Sequence, residues 1–172
     1  MNRASVLTGL GAAAIFSAFG LGRATRAHAD SFEVHYTEAE WRKRLGPERF
    51  YILREAGTET PGSSKLEYEH REGTYFCAGC DLALFDAKTK FESGTGWPSF
   101  YATLPNAVKL RDDYSLIEKR TEVLCRRCGG HLGHVFDDGP KPTGLRYCMN
   151  GLALLFRPLL AKPLADGSVG HD

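Results

Sequence analysis

Two stretches decide how this chain folds: Phe76-Cys77-Ala78-Gly79-Cys80-Asp81 and Leu124-Cys125-Arg126-Arg127-Cys128-Gly129-Gly130. In each, two residues separate a pair of cysteines, so one tight turn aims both sulfurs at a single point. A glycine inside or just after the turn allows positive φ. The pairs are separated by 44 residues, so a site closed by all four ties distant parts of the chain together. Four thiolates at this spacing fit tetrahedral zinc and leave no position open for water. The metal expected on Cys77, Cys80, Cys125 and Cys128 is therefore one structural Zn2+ that adds folding energy. Two other readings stand beside it. An exported protein can pair its cysteines as disulfides. A redox-active Cys-x-x-Cys usually opens a helix in a βαβ context, whereas both pairs here follow strand-like residues.

Short β-type runs bounded by turn residues surround the pairs: Leu66 to Tyr68, Gly73 to Cys77, Leu82 to Phe85, Val108 to Leu110, Tyr114 to Lys119, Arg120 to Leu124, His131 to Phe136, Leu145 to Met149 and Leu152 to Arg157. Gly and Pro concentrate after residue 60, as many turns and short strands require. The prediction is a mainly β fold of two small antiparallel sheets with short helices at the N-terminal edge. Thr37-Glu38-Ala39-Glu40 is a capping box that opens a helix through Leu45, with Gly46 as its stop. Pro47 suits the first position of a second helix, to Glu55, ended by Gly57. Leu45, Phe50, Ile52 and Leu53 give these helices an apolar side.

The segment before this domain reads differently. Arg3 precedes nineteen uncharged residues, Ala4 to Gly22, and Ala27-His28-Ala29 stands before Asp30. A positive start, an apolar stretch and small residues at a cut site read as an export signal over 1–29, pointing to the bacterial periplasm. A membrane anchor and a mitochondrial transit peptide are the alternatives. The segment resembles twin-arginine signals but has Arg3 alone where two arginines are expected. The domain is then 30–157, with 158–172 a surface tail. Without 1–29 the chain has 19 basic and 21 acidic residues, against a net charge of +1 for the whole. Neither balance suggests nucleic acid or an anionic membrane as partner.

The fifth cysteine, Cys148, stands alone in Arg146-Tyr147-Cys148-Met149-Asn150. It is either an inert buried thiol or the reactive group. Arg146 and Asn150 fall on its side of a strand, where a guanidinium and a carboxamide favour a thiolate and offer hydrogen bonds. His131 and His134 lie upstream in His131-Leu132-Gly133-His134-Val135-Phe136. On a regular strand they face opposite sides, and Gly133 permits a kink that alters this. Each is equally readable as an ordinary sheet histidine. Trp97, in the loop Phe91 to Phe100, can wall an apolar pocket or fill the core.

Together these segments resemble the B-type methionine sulfoxide reductases, which act on the R epimer. The resemblance rests on Gly57 to Pro61, Tyr75 to Cys80, Ser93 to Phe100, Arg120 to Val123, Cys125 to Phe136 and Arg146 to Asn150, and covers about residues 35 to 157. It implies a β-rich zinc-bearing fold and reduction of methionine-R-sulfoxide, free or in proteins; with no resolving cysteine at Thr95, the expected reductant is an external thiol, thioredoxin-like or other, rather than a zinc cysteine leaving the metal, and the expected working unit is a monomer. It implies Cys148 as the catalytic cysteine, with Arg146 beside it. His131, His134 and Asn150 would bind and protonate the sulfoxide oxygen. Trp97, with Phe136, would receive the substrate methyl group, and the four paired cysteines would hold zinc. The other classes weighed are a zinc-ribbon binding module, which the near-neutral charge disfavours, and a zinc hydrolase, which needs an open metal position. The chain departs from the family twice. Thr95 stands where many members carry a resolving cysteine, and Gly151-Leu152 follows Asn150 where Ser-Ala is commoner.

Overall fold

A computed structural model describes residues 32–159. The export-signal reading of 1–29 and most of the expected tail lie outside the described residues. Helix α1 (Glu38–Glu55) is capped by Thr37, whose hydroxyl accepts from the Glu40 N–H while the Glu40 carboxylate accepts from the Thr37 N–H. Both halves of the capping box are thus in place. The expected break is also present: Gly46 adopts φ 69°, and Pro47 resumes the helix. The end differs by one residue. Ala56, not Gly57, takes the left-handed position at φ 52°. Gly57 serves packing instead, because a Cβ there would fall 2.3 Å from the Tyr51 ring. Trp41, Phe50, Ile52 and Leu53 bury the inner side of α1.

Among the described residues nine strands follow: β1 (Gly73–Cys77), β2 (Ala83–Asp86), β3 (Lys90–Phe91), β4 (Ser99–Phe100), β5 (Val108–Asp113), β6 (Arg120–Cys125), β7 (His131–Phe136), β8 (Arg146–Met149) and β9 (Leu154–Pro158). They form a three-stranded sheet in the order β2-β1-β9 and a six-stranded sheet in the order β3-β4-β8-β7-β6-β5, with antiparallel pairing throughout. The core is aromatic. Phe85 stacks on Phe100 at 4.3 Å between ring centroids, and Tyr75 meets Phe100 edge-on at 4.8 Å. All three side chains are fully buried, so they join the two sheets by geometry as well as by area.

Two expected strands are something else. Leu66 to Tyr68 belongs to a 3-10 turn (Lys65–Tyr68) started by Ser64, whose hydroxyl accepts from the Leu66 N–H. Tyr114 to Lys119 is the loop of the β5–β6 hairpin. The Asp113 carboxylate accepts from the Ser115 N–H and turns the chain, leaving Tyr114, Leu116 and Ile117 exposed. Leu152 to Arg157 divides into a 3-10 turn (Gly151–Ala153) and β9, and β9 includes Pro158, paired with Gly73. The two-residue strands β3 and β4 were not expected.

Candidate active site

The two knuckles end strands of different sheets. Cys77 closes β1 and Cys125 closes β6. Their turns are set by left-handed residues, Asp81 (φ 65°) after the first pair and Gly129 (φ 68°) after the second. The four sulfurs lie within 4.8 Å of one another, with Cys77 to Cys128 at 3.7 Å and Cys80 to Cys125 at 3.5 Å. A tetrahedron with metal–sulfur bonds of about 2.3 Å has edges of about 3.8 Å, so this donor set fits such an ion. Hydrogen bonding, first from Cys128, holds Cys125 far below the ordinary thiol range, while bonding to Cys125 pushes Cys77 and Cys128 up. The four thiols thus share their protons unequally, and a dication bound by all four would let each of them be a thiolate. Helix α1 sheathes it: Arg54 Nη1 donates to the Cys128 carbonyl at 3.0 Å, and Trp41 packs beside Gly79.

Cys148 lies apart from this cluster, in the middle of the six-stranded sheet, opposite Ser99 of β4 and His134 of β7. On β8 the side chains of Tyr147 and Met149 are buried, while Arg146 and Cys148 point the other way and are half-buried. A cavity of about 160 Å³ opens over Cys148, lined by Thr58, Trp97, Arg120, His134, Phe136 and Asn150. At about 30 Å³ per water in the liquid, that volume takes the end of one side chain, not a large ligand.

Residue pairing explains why the two histidines meet. Glu122 pairs with His134 and Leu124 with His131, so two steps along β6 match three along β7. This bulge turns His131 and His134 to one face, with ring centroids 5.4 Å apart. Gly133 is required there, because a Cβ would fall 2.1 Å from the Cys148 carbonyl oxygen. The kink that Gly133 permits is therefore present. His134 lines the cavity, and its Nε2 pairs with Asp113 Oδ2 at 2.7 Å. Burial lowers its pKa below the ordinary histidine value, partly opposed by Asp113. His131 sits behind it, outside the cavity lining. Its Nδ1 is 2.7 Å from the Glu122 carboxylate, and its Nε2 is buried without a partner. Arg111 also donates to Glu122.

Burial raises the Cys148 pKa, and Thr95, Arg146 and Ser99 oppose the rise. Of the two flanking groups expected to act on the thiol, Arg146 does and Asn150 is not among the groups that do, and burial outweighs the polar groups together. Arg146 is held by a bidentate pair to Asp138 (2.8 Å each) and covers the Phe136 ring at 4.4 Å. Asn150 uses its amide to hold the backbone: Oδ1 accepts from the Glu59 N–H, and Nδ2 donates to the Leu132 carbonyl. Trp97 is half-buried and walls the cavity, with Nε1 donating to the Glu59 carbonyl at 3.2 Å.

Sequence reasoning passed over Glu59. Its buried carboxylate accepts from the Gly151 and Leu152 N–H groups at 2.5 and 2.9 Å. Together with the bonds to Asn150 and Trp97, one residue thus fixes the loop, the cavity wall and the end of β8. The Gly151 departure is explained here: a Cβ would lie 1.9 Å from Ser64 Oγ. Asp113, Asp138 and Arg120 were also missed. Their partners lie across a hairpin loop, a turn or a neighbouring strand, from 7 to 21 residues away, and no local pattern marks them.

The SelR domain model matches residues 45–158. A curated peptide methionine sulfoxide reductase MsrB of Methanosarcina barkeri is 53% identical over 125 residues, covering 72% of this chain and 88% of the relative. The MsrB of Leptospira interrogans is 50% identical over 129 residues, with 74% and 98% covered. That of Pseudomonas putida strain F1 is 51% identical over 129 residues, with 73% and 97% covered. With a two-sheet fold, a four-cysteine cluster and a small cavity over a lone cysteine, the chain belongs to the SelR-domain family of B-type methionine sulfoxide reductases.

Proposed function

We propose that this chain is a peptide-methionine (R)-S-oxide reductase in which Cys148 is the nucleophile and the four other cysteines hold a structural zinc ion. The observation that carries the reading is the cavity itself, with a thiol and a histidine on adjacent strands and an aromatic wall (Trp97, Phe136) facing them. The apolar wall takes the substrate methyl group, and the His134 side takes the oxygen. Holding the two apart selects one epimer.

The Cys148 thiolate attacks the sulfoxide sulfur. The sulfur–oxygen bond of the substrate breaks as the oxygen passes to Sγ, and two electrons pass to the substrate sulfur. The departing oxygen needs a proton, supplied by His134 as general acid. His131, with Glu122 behind it, backs the His134 ring. Methionine leaves, and Cys148 remains as sulfenic acid. An external thiol condenses with it, releasing water, and a second thiol frees Cys148 while forming the reductant's disulfide. With Thr95 beside Cys148 and the other four cysteines gathered at the metal site, no free second thiol lies among the described residues. Zinc supplies folding energy here and takes no part in the chemistry, because a set of four cysteine ligands is closed.

Replacing Cys148 by Ser tests the reading: turnover of methionine-R-sulfoxide is lost while zinc content is kept. Turnover retained in that variant would refute it. The export reading belongs to the same proposal. Mature protein recovered from the periplasm with Asp30 at its N-terminus supports it, and an uncut N-terminus contradicts it.

A further inference from the structure

Three hydroxyls form a line that ends at Cys148. Ser99, buried on β4, places Oγ 3.1 Å from the Trp97 carbonyl and 2.7 Å from Ser93 Oγ. Ser93 Oγ is 2.8 Å from Thr95 Oγ1, which is 3.8 Å from Cys148 Sγ. A hydroxyl has one proton to give and two lone pairs to accept with, so the line has two consistent settings. When Cys148 is a thiol, S–H donates to Thr95, Thr95 to Ser93, Ser93 to Ser99, and Ser99 to the Trp97 carbonyl. When Cys148 is a thiolate the three bonds between side chains turn round: Ser99 donates to Ser93, Ser93 to Thr95, and Thr95 to the sulfur, while the Trp97 carbonyl, which can only accept, gives up the Ser99 bond. No proton is orphaned in either setting.

We infer that Thr95 is a further catalytic residue, whose hydroxyl donates to the Cys148 thiolate, and that Ser93 and Ser99 position it through this reversible line. The inference rests on Cys148 being the reactive thiol. Thr95 is then more than the place of a missing resolving cysteine: it holds the negative charge that burial disfavours. Among the forces on the Cys148 pKa, the Thr95 bond is the largest that opposes burial, ahead of Arg146 and of Ser99, which also acts on the sulfur directly. The other charged or titratable groups around the thiol are Arg146 with its partner Asp138 on the same side of the sheet, His134 with Asp113 across β7, and Arg120 on the cavity wall. All of these stay in place when the Thr95 hydroxyl is removed.

The test is the pH dependence of Cys148 alkylation by iodoacetamide in the zinc-loaded full chain, followed by mass spectrometry of the Cys148 peptide. A charge-assisted bond of this kind predicts that Thr95→Val moves the midpoint up by about one pH unit, a tenfold loss of thiolate below it. Thr95→Ser restores the parental midpoint, and Ser93→Ala gives a smaller upward shift. A parental profile in Thr95→Val, or a Thr95→Ser profile displaced as far as that of Val, overturns the role of Thr95. A parental profile in Ser93→Ala overturns the line, and it decides the matter alone if Thr95→Val fails to retain zinc. Alkylation needs no turnover, so a failure here is distinct from retained activity in Cys148→Ser.

Discussion

Glu59 carries a heavy share of the site's rigidity, and its replacement gives a sharp forecast. The residue is 7% exposed, and its carboxylate accepts from two backbone N–H groups. Glu59→Ala leaves both donors without an acceptor. A buried unsatisfied donor costs about 1–3 kcal/mol. Gly151 is buried and Leu152 half-buried, so the two together come to about 4 kcal/mol on that scale. Glu59→Gln keeps one acceptor but turns an amide donor toward the other N–H, for about 2 kcal/mol on the same scale. At about 4 °C per kcal/mol for a domain of this size, the Tm falls by about 8 °C for Gln and about 16 °C for Ala. Urea unfolding with an unchanged m-value measures the loss directly. The main-chain groups of Glu59 that bind Trp97 and Asn150 survive substitution but lose their anchor, so KM for methionine-R-sulfoxide also rises. The exposed Glu118→Gln serves as control. A Glu59→Gln protein within about 0.5 kcal/mol of its parent, the range of ordinary surface changes, would refute the reasoning.

Gly133→Ala, which drives a Cβ against the Cys148 carbonyl oxygen, is expected to cost at least about 2 kcal/mol as a backbone clash, read as a lower urea midpoint. Asp113 raises the His134 pKa against burial. Asp113→Asn therefore lowers that pKa further, leaves less protonated acid near neutrality, and moves the alkaline fall in kcat/KM to lower pH. The Asp113 carboxyl is itself held well below its ordinary range, first by Ser115 and then by His134. Its contribution to stability is present above the unfolded pKa of about 3.9 and lost as pH falls through the lower folded value. Chelation of zinc is expected to unfold the junction of the two sheets, because structural zinc supplies about 10 kcal/mol or more in small domains. Circular dichroism followed against zinc content checks it.

The four-cysteine cluster and most strands are legible in the sequence because their signals are local. The doubled Cys-x-x-Cys spacing and the runs at 73–77, 120–125 and 131–136 need no partner to be read. β3 and β4 were illegible because two residues carry no periodicity; they exist by pairing with β8 and with each other. The run Tyr114 to Lys119 misled because its apolar residues suggest burial, while the Asp113 turn exposes them. The common face of His131 and His134 depended on a bulge set by β6, so Gly133 permitted the outcome without determining it. Glu59 sits in Gly57-Thr58-Glu59-Thr60-Pro61, a stretch that carries the family resemblance but holds no local pattern that marks a role for the carboxylate. Only the tertiary fold reveals that its carboxylate is buried against residues 151 and 152.

In the proposed mechanism four of the five cysteines hold metal and Cys148 alone reacts. Mass spectrometry of the zinc-loaded protein after a stoichiometric dose of methionine-R-sulfoxide, with no thiol present, tests it most directly. One added oxygen on Cys148 is expected, trapped by a sulfenic-acid reagent, with methionine formed in equal amount and zinc retained. A disulfide from Cys148 to Cys77, Cys80, Cys125 or Cys128 with zinc released, or oxygen on another residue, would contradict it.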